Sequence, residues 1–103
     1  MARIRIRTHP GEVLLHDCLE PLKMSARALA REIGVPANRL TEICAGRRGI
    51  TADTAHRLAR YFGTSAEFWL NMQSAHDLSK AAAENQRAYS KIKTRKLEET
   101  EAA

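Results

Sequence analysis

No stretch of this 103-residue chain approaches the roughly 20 consecutive apolar residues that a membrane-spanning helix needs. No charged-then-apolar leader precedes a small-residue cleavage site either, and the expectation is a cytoplasmic protein. Cysteine occurs twice, at Cys18 and Cys44, on separate segments with no Cys-x-x-Cys pair and no metal-ligand spacing. Both read as small buried hydrophobes in a reducing compartment. The four histidines, His9, His16, His56 and His76, are scattered, and His16 with Cys18 lies at a spacing that points the two side chains apart on a helix. No metal site and no cofactor are expected. Neither a Ser/His/acid order, nor a phosphate-cradling glycine loop, nor a pair of acids in an apolar pocket can be assembled, so the chain does not read as an enzyme.

What is present is a lopsided charge. Seventeen Lys and Arg stand against twelve Asp and Glu, a formal net charge of +5. Through Arg60 the chain carries eleven basic and six acidic residues, whereas from Tyr61 onward it carries six of each. The excess therefore sits in the front half, and such an excess attracts polyanions, nucleic acid above all. The length suits one small domain that buries roughly 60 to 65 per cent of its unfolded surface.

Residues 1–8 form an arm in which "RIRIRT" alternates Arg with Ile, the period of a strand but too short to make a sheet alone. It is expected to be disordered or paired with something. From Thr8 the pattern turns helical. Thr8 or His9 can cap a first helix, Pro10 suits its first turn, and Leu15, Cys18, Leu19 and Leu22 repeat at i, i+3, i+4, i+7 until Pro21 ends it. Ser25 caps a second helix with Ala26, Leu29, Ala30 and Ile33 inward, and Gly34 supplies its left-handed end. Only Gly34 and Val35 separate it from a third helix entered at Pro36. Two helices joined so tightly cross steeply, and the second is held out from the body: the helix-turn-helix geometry.

Thr51 caps a fourth helix with Ala55, Leu58, Ala59 and Phe62 inward, closed by Gly63. Thr64 and Glu67 read as a capping box for a fifth, which carries Phe68, Trp69, Leu70 and Met72. Five capped helices predict an all-α domain over residues 9–78. Beyond Ser79 the apolar residues thin out, so 79–103 is expected to be a frayed helix that ends in disorder after about Lys93.

The third helix carries the chemistry. At 100° per residue Pro36, Leu40, Ile43 and Cys44 fall inward, while Asn38, Thr41, Glu42 and Ala45 fall outward with Ala37 and Arg39 on the flanks. Asn pairs bidentately with adenine, Arg with guanine, Thr offers hydroxyl or methyl, and Glu accepts from cytosine. A plain solvated face, with an Arg39 to Glu42 pair at i, i+3, is the competing reading. The surroundings decide for DNA: Arg47 and Arg48 follow on a loop between Gly46 and Gly49, and Ser25 with Arg27 opens the preceding helix at the end that would meet a phosphate backbone.

"HPGE" at His9 to Glu12, "GITADTAHRLARYFGTS" at Gly49 to Ser65 and "EFWLNMQ" at Glu67 to Gln73 together make His9 to Leu78 resemble the HigA-type antitoxins, a branch of the phage-repressor-like helix-turn-helix proteins. The resemblance spans about two thirds of the chain. It implies a homodimer on a palindromic operator upstream of its own operon, and an antitoxin that holds a RelE-like or HigB-like ribosome-dependent ribonuclease inactive. A stand-alone repressor with no toxin partner is the alternative. By the repressor pattern the positions matching base readers are Ala37, Asn38, Thr41 and Glu42. Those matching backbone contacts are Ser25, Arg27, Arg39, Arg47 and Arg48. Phage repressors often carry Gln at the first recognition positions, where this chain has Ala37 and Asn38. Two-fold symmetry would set two third helices about 34 Å apart in successive major grooves. Phe68, Trp69 and Met72 are the candidates for the dimer seam, because so dense an apolar cluster exceeds what one small core covers.

Overall fold

The computed structural model describes residues 4–96, and these form five helices. Helix α1 runs through three consecutive segments, Pro10–Glu12, Val13–Leu19 and Glu20–Leu22. Then follow α2 (Ala26–Ile33), α3 (Ala37–Cys44), α4 (Ala52–Phe62) and α5 (Ala66–Ser90). Helices α2 and α3 pack against each other, α4 packs against α5, and the first turn of α1 touches both α3 and α5. The core they enclose comprises Leu14, Leu19, Leu29, Ile33, Leu40, Ile43, Ile50, Leu58 and Trp69 with buried alanines between them.

Most of the capping signals act where the sequence puts them. The His9 side chain accepts from the Gly11 N–H at 2.8 Å, Ser25 Oγ from Ala28 N–H at 3.0 Å, and Thr51 Oγ1 from Thr54 N–H. Each relieves one of the unpaired donors at a helix start. Gly34 and Gly63 end α2 and α4 in the left-handed region at φ 74° and 73°, where a side chain would be strained.

Helix α1 departs from expectation in its winding. Val13–Leu19 is π-helical, and the Glu20 N–H donates to the Leu15 carbonyl. A proline ring inside a helix collides with the carbonyl four residues back, and the wider winding just ahead of Pro21 fits the avoidance of that clash. The helix consequently passes Pro21 and stops at Leu22, with Lys23 left-handed at φ 54°. The wider turn also changes which residues face inward. Leu14 and Leu19 are fully buried, Leu15 and Cys18 only partly, and Leu22 is 58% exposed, outside the inward set predicted from the α period.

The fifth helix is capped by Ser65, whose Oγ accepts from the Phe68 N–H at 3.0 Å, and not by Thr64. The Thr64 hydroxyl instead accepts from the Trp69 indole N–H at 2.8 Å. Trp69 is fully buried against its own chain, edge-to-face with Phe68 at 5.1 Å, which corrects its assignment to a dimer seam. It has no surface to offer a second chain. Nor does the helix stop near Leu78. It continues to Ser90 across one non-helical residue, Asn85. The expected disorder after Lys93 falls partly on 97–103, which lie outside the described residues, as does the start of the arm at 1–3.

Among the described residues the arm pairs with no strand, and it is tied down at Arg7. Its Arg7 N–H donates to Ser79 Oγ at 2.8 Å, and His76 Nδ1 donates to the Arg7 carbonyl at 2.7 Å. Both backbone groups of Arg7 are thus satisfied by side chains of α5.

Candidate nucleic-acid interface

Helix α3 is placed by contacts at both ends. At its start Gly34 turns the chain, the Val35 N–H returns to the Ala30 carbonyl at 3.0 Å, and Pro36 enters in extended backbone geometry. Pro36 itself is exposed and not part of the inward set, because it precedes the helix and does not share its phase. Leu40 and Ile43 are fully buried and Cys44 is half-buried. At its end α3 meets α1. A side chain on Gly11 would collide with the Ile43 carbonyl, so only glycine allows α1 to cross there.

The loop after α3 is fixed as well. Gly46 takes φ 77°, and the Arg47 N–H donates to the Glu42 carbonyl at 2.9 Å. Ile50, buried, donates its N–H to Oε1 of the buried Gln73 at 2.8 Å, and Gln73 Nε2 donates on to Asp77 Oδ1 at 3.0 Å. Gln73 therefore pins the segment carrying Arg47 and Arg48 to α5. Sequence reading missed it, since a glutamine in an apolar helix stretch gives no sign of its partner.

On the outer side of α3 Asn38 is exposed, Thr41 and Glu42 are half-buried, and Ala37 is half-buried and packed against the core. Thr41 Oγ1 donates to the Asn38 carbonyl at 3.3 Å. The Arg39 to Glu42 pair does not form; each residue has another partner. Arg48 donates to Glu42 Oε1 from Nε at 2.9 Å and from Nη2 at 2.8 Å. Arg39 Nη1 donates to Asp53 Oδ2 at 3.0 Å. That same oxygen accepts from Arg57 Nε at 3.0 Å, and Arg57 Nη1 donates to the Ile33 carbonyl at 2.7 Å. The hydrogen bond from Arg57, reinforced by its charge and by Arg39, holds the Asp53 carboxyl below the usual carboxylate range. A chain of contacts thus joins the end of α2, the start of α4 and the flank of α3.

Of the remaining expected contact residues, Arg27 and Arg47 are exposed, and Ser25 uses its hydroxyl as the α2 cap. Both cysteine thiols are half-buried, and burial raises their pKa. The histidines largely serve the fold: His9 caps α1, His16 pairs with Glu20 at 3.0 Å, and His76 holds the arm. Among the described residues no helix is long and apolar enough to cross a membrane. The arrangement offers an exposed polar helix face with cations at its flank and on the loop beyond it, which suits contact with a grooved polyanion.

Comparison with known proteins agrees with this geometry. The helix-turn-helix family matches residues 15–69. Virulence-associated protein I of Dichelobacter nodosus is 53% identical over 78 residues, which is 76% of this chain and 72% of that protein. The structure of an addiction module antidote protein of the HigA family from Coxiella burnetii superposes with a TM-score of 0.82 at 44% identity, over 89% of this chain and all of that one. The Pseudomonas aeruginosa antitoxin HigA, solved with the higBA promoter, gives a TM-score of 0.82 at 43% identity, over 86% of this chain and 97% of that one.

Proposed function

The chain belongs to the HigA family of helix-turn-helix proteins, and on that premise we propose that it is an antitoxin and autorepressor. As a dimer it binds a palindromic operator, and it neutralises a RelE-like, mRNA-cleaving toxin in the cytoplasm. The observation that carries the DNA half is α3 itself, held out by Leu40 and Ile43 with Asn38 exposed and with Arg47 and Arg48 on a pinned loop beyond it. The Pseudomonas relative was solved with promoter DNA, which supports operator DNA as a partner of this chain as well.

In this reading Ala37, Asn38, Thr41 and Glu42 meet base edges, and Ser25, Arg27, Arg39, Arg47 and Arg48 meet the phosphates. Ala37 contributes by letting the helix approach closely, since its methyl is already half-covered. Phe68, 43% exposed on α5, with half-buried Met72, is the remaining part of the proposed dimer seam. The toxin half is supported by the kinship with an antidote protein of an addiction module. Its test is co-expression with the adjacent reading frame for a small basic protein. Restored growth and co-purification of the two chains are expected. Growth arrest that this chain fails to relieve, with DNA binding intact, would leave a stand-alone repressor.

A further inference from the structure

Glu42 is the one acid of α3, and it lies one turn beyond the exposed Asn38 on the same face, i to i+4. A carboxylate at that place meets a difficulty when the helix approaches DNA. The phosphates on both sides of a groove repel it, while the base it can serve, cytosine, is reached through an acceptor oxygen.

Arg48 answers both demands. It donates to Glu42 Oε1 from Nε at 2.9 Å and from Nη2 at 2.8 Å, a charge-assisted pair. Because both bonds end on one oxygen, the lone pairs of Oε2 remain for a donor in the groove. The backbone of Glu42 is gripped by the same loop: its carbonyl accepts from the Arg47 N–H at 2.9 Å, across the left-handed Gly46. The loop is held from behind in turn. A Cβ on Gly49 would stand 3.2 to 3.3 Å from the Gln73 amide, and the Ile50 N–H is bonded to Gln73 Oε1. The guanidinium therefore reaches Glu42 from a segment anchored to α5, not from a free loop end.

We propose that Arg48 is a positioning residue for base readout: it neutralises Glu42 on the DNA-facing side and turns the carboxylate so that Oε2 accepts from the exocyclic amine of a cytosine. This inference rests on the operator-binding reading above and deepens it, since it assigns Glu42 a base and gives Arg48 a role beyond the phosphates. The pair persists in the free chain, on arbitrary DNA and on the operator, so no bond is given up in the specific complex. What varies with sequence is whether an amine meets Oε2. A carboxylate fixed before the helix enters the groove has less freedom to lose on binding. A held oxygen also cannot swing away from the acceptors of a guanine or a thymine, which penalises the wrong base.

The test is a base-resolved binding profile. Wild type, Glu42→Ala and Arg48→Ala are titrated at about 150 mM salt with the DNA preceding the chain's own gene and with single-base-pair variants across its half-site. Wild type should lose about five- to a hundredfold in affinity when the C·G pair read by Glu42 becomes T·A or G·C, the usual scale of one mismatch. In Glu42→Ala that loss should shrink to about twofold or less, at that pair alone. Arg48→Ala should flatten the profile at the same pair and keep discrimination at every other pair within about twofold of wild type, although its affinity falls throughout. Arg48→Lys keeps the charge without the planar pair of donors, so it should recover affinity and not the discrimination. Thermal unfolding of all variants should match wild type, because the pair is partly exposed.

An Arg48→Ala variant that weakens every duplex by one factor and leaves the C·G step intact would make Arg48 a phosphate contact alone and overturn the proposal. Flattening at a pair to which Glu42→Ala is indifferent would make Arg48 a base reader itself, and recovered discrimination in Arg48→Lys would reduce its part to charge; either result also overturns it. If Glu42→Ala flattens no pair while Asn38→Ala does, the proposal falls and the operator reading stands. If wild type discriminates at no pair, the operator reading itself fails.

Discussion

Replacing Gln73 by leucine removes the acceptor of the Ile50 N–H while leaving a side chain of similar bulk in its place. Ile50 is 4% exposed and its N–H has a 2.8 Å bond to Gln73 Oε1, so water cannot readily take over. An orphaned buried donor costs about 1 to 3 kcal/mol. For a domain of this size that is a fall in Tm of roughly 4 to 8 °C per kcal/mol, and a shift in urea midpoint on the order of 1 M, given slopes of about 1 to 3 kcal/mol/M. Asp77→Ala is the control. It removes only the exposed end of the same relay and should stay within about 0.5 kcal/mol of wild type. The assay is urea unfolding followed by helical circular dichroism, with DNA affinity measured on the same samples. The Gln73→Leu variant should also bind DNA more weakly in fully native buffer, since the loop carrying Arg47 and Arg48 loses its tether. A midpoint unchanged at constant slope, or an Asp77→Ala variant equally damaged, would refute the reasoning.

Gly11→Ala forces a methyl against the Ile43 carbonyl and should destabilise by about 1 to 3 kcal/mol in the same assay, whereas Glu12→Ala, on an exposed neighbour, should not. His9 should make stability depend on pH. Burial first, then the charge of His76 and that of Lys80, lower its pKa against the opposing pull of Asp77 and Glu12. The unfolded chain takes up the proton near pH 6.5 while the folded chain resists, so stability should fall as pH drops below about 6.5 and level off once the folded imidazole protonates. His9→Asn, which keeps a capping acceptor, should flatten that profile in pH-dependent thermal melts. Asn38→Ala should weaken binding to an upstream duplex, taken from the DNA preceding the chain's own gene, by about 1 to 3 kcal/mol and leave a scrambled duplex of equal length unaffected. Arg47→Ala should weaken both and reduce the salt slope by about one unit in binding titrations.

Local chemistry carried the sequence reading a long way. Ser25, Gly34, Thr51 and Gly63 mark helix ends within a few residues of themselves, and the steep α2 to α3 turn follows from how little chain separates the two helices. The outward set of α3 was legible because Leu40 and Ile43 repeat at the α period and are both buried. What failed depends on contacts between distant residues or on departures from that period. The π winding ahead of Pro21 brings Leu14 inward and leaves Leu22 exposed, against the phase counted from an ideal α-helix. Thr64 and Ser65 are equally good caps by composition, and only the buried Trp69 indole decides which of them is free to cap. The partners of Arg39, Glu42 and Gln73 lie on other elements or across a loop, so no spacing rule names them.

The central claim, that the exposed face of α3 reads a DNA sequence, is tested most directly by titrating the full chain with the upstream and scrambled duplexes at low salt and at about 150 mM. A sequence-reading helix predicts a preference of roughly a thousandfold or more for the upstream duplex that survives the higher salt. Equal affinity for both, lost together as the salt rises, would mean that α3 and its arginines supply charge alone.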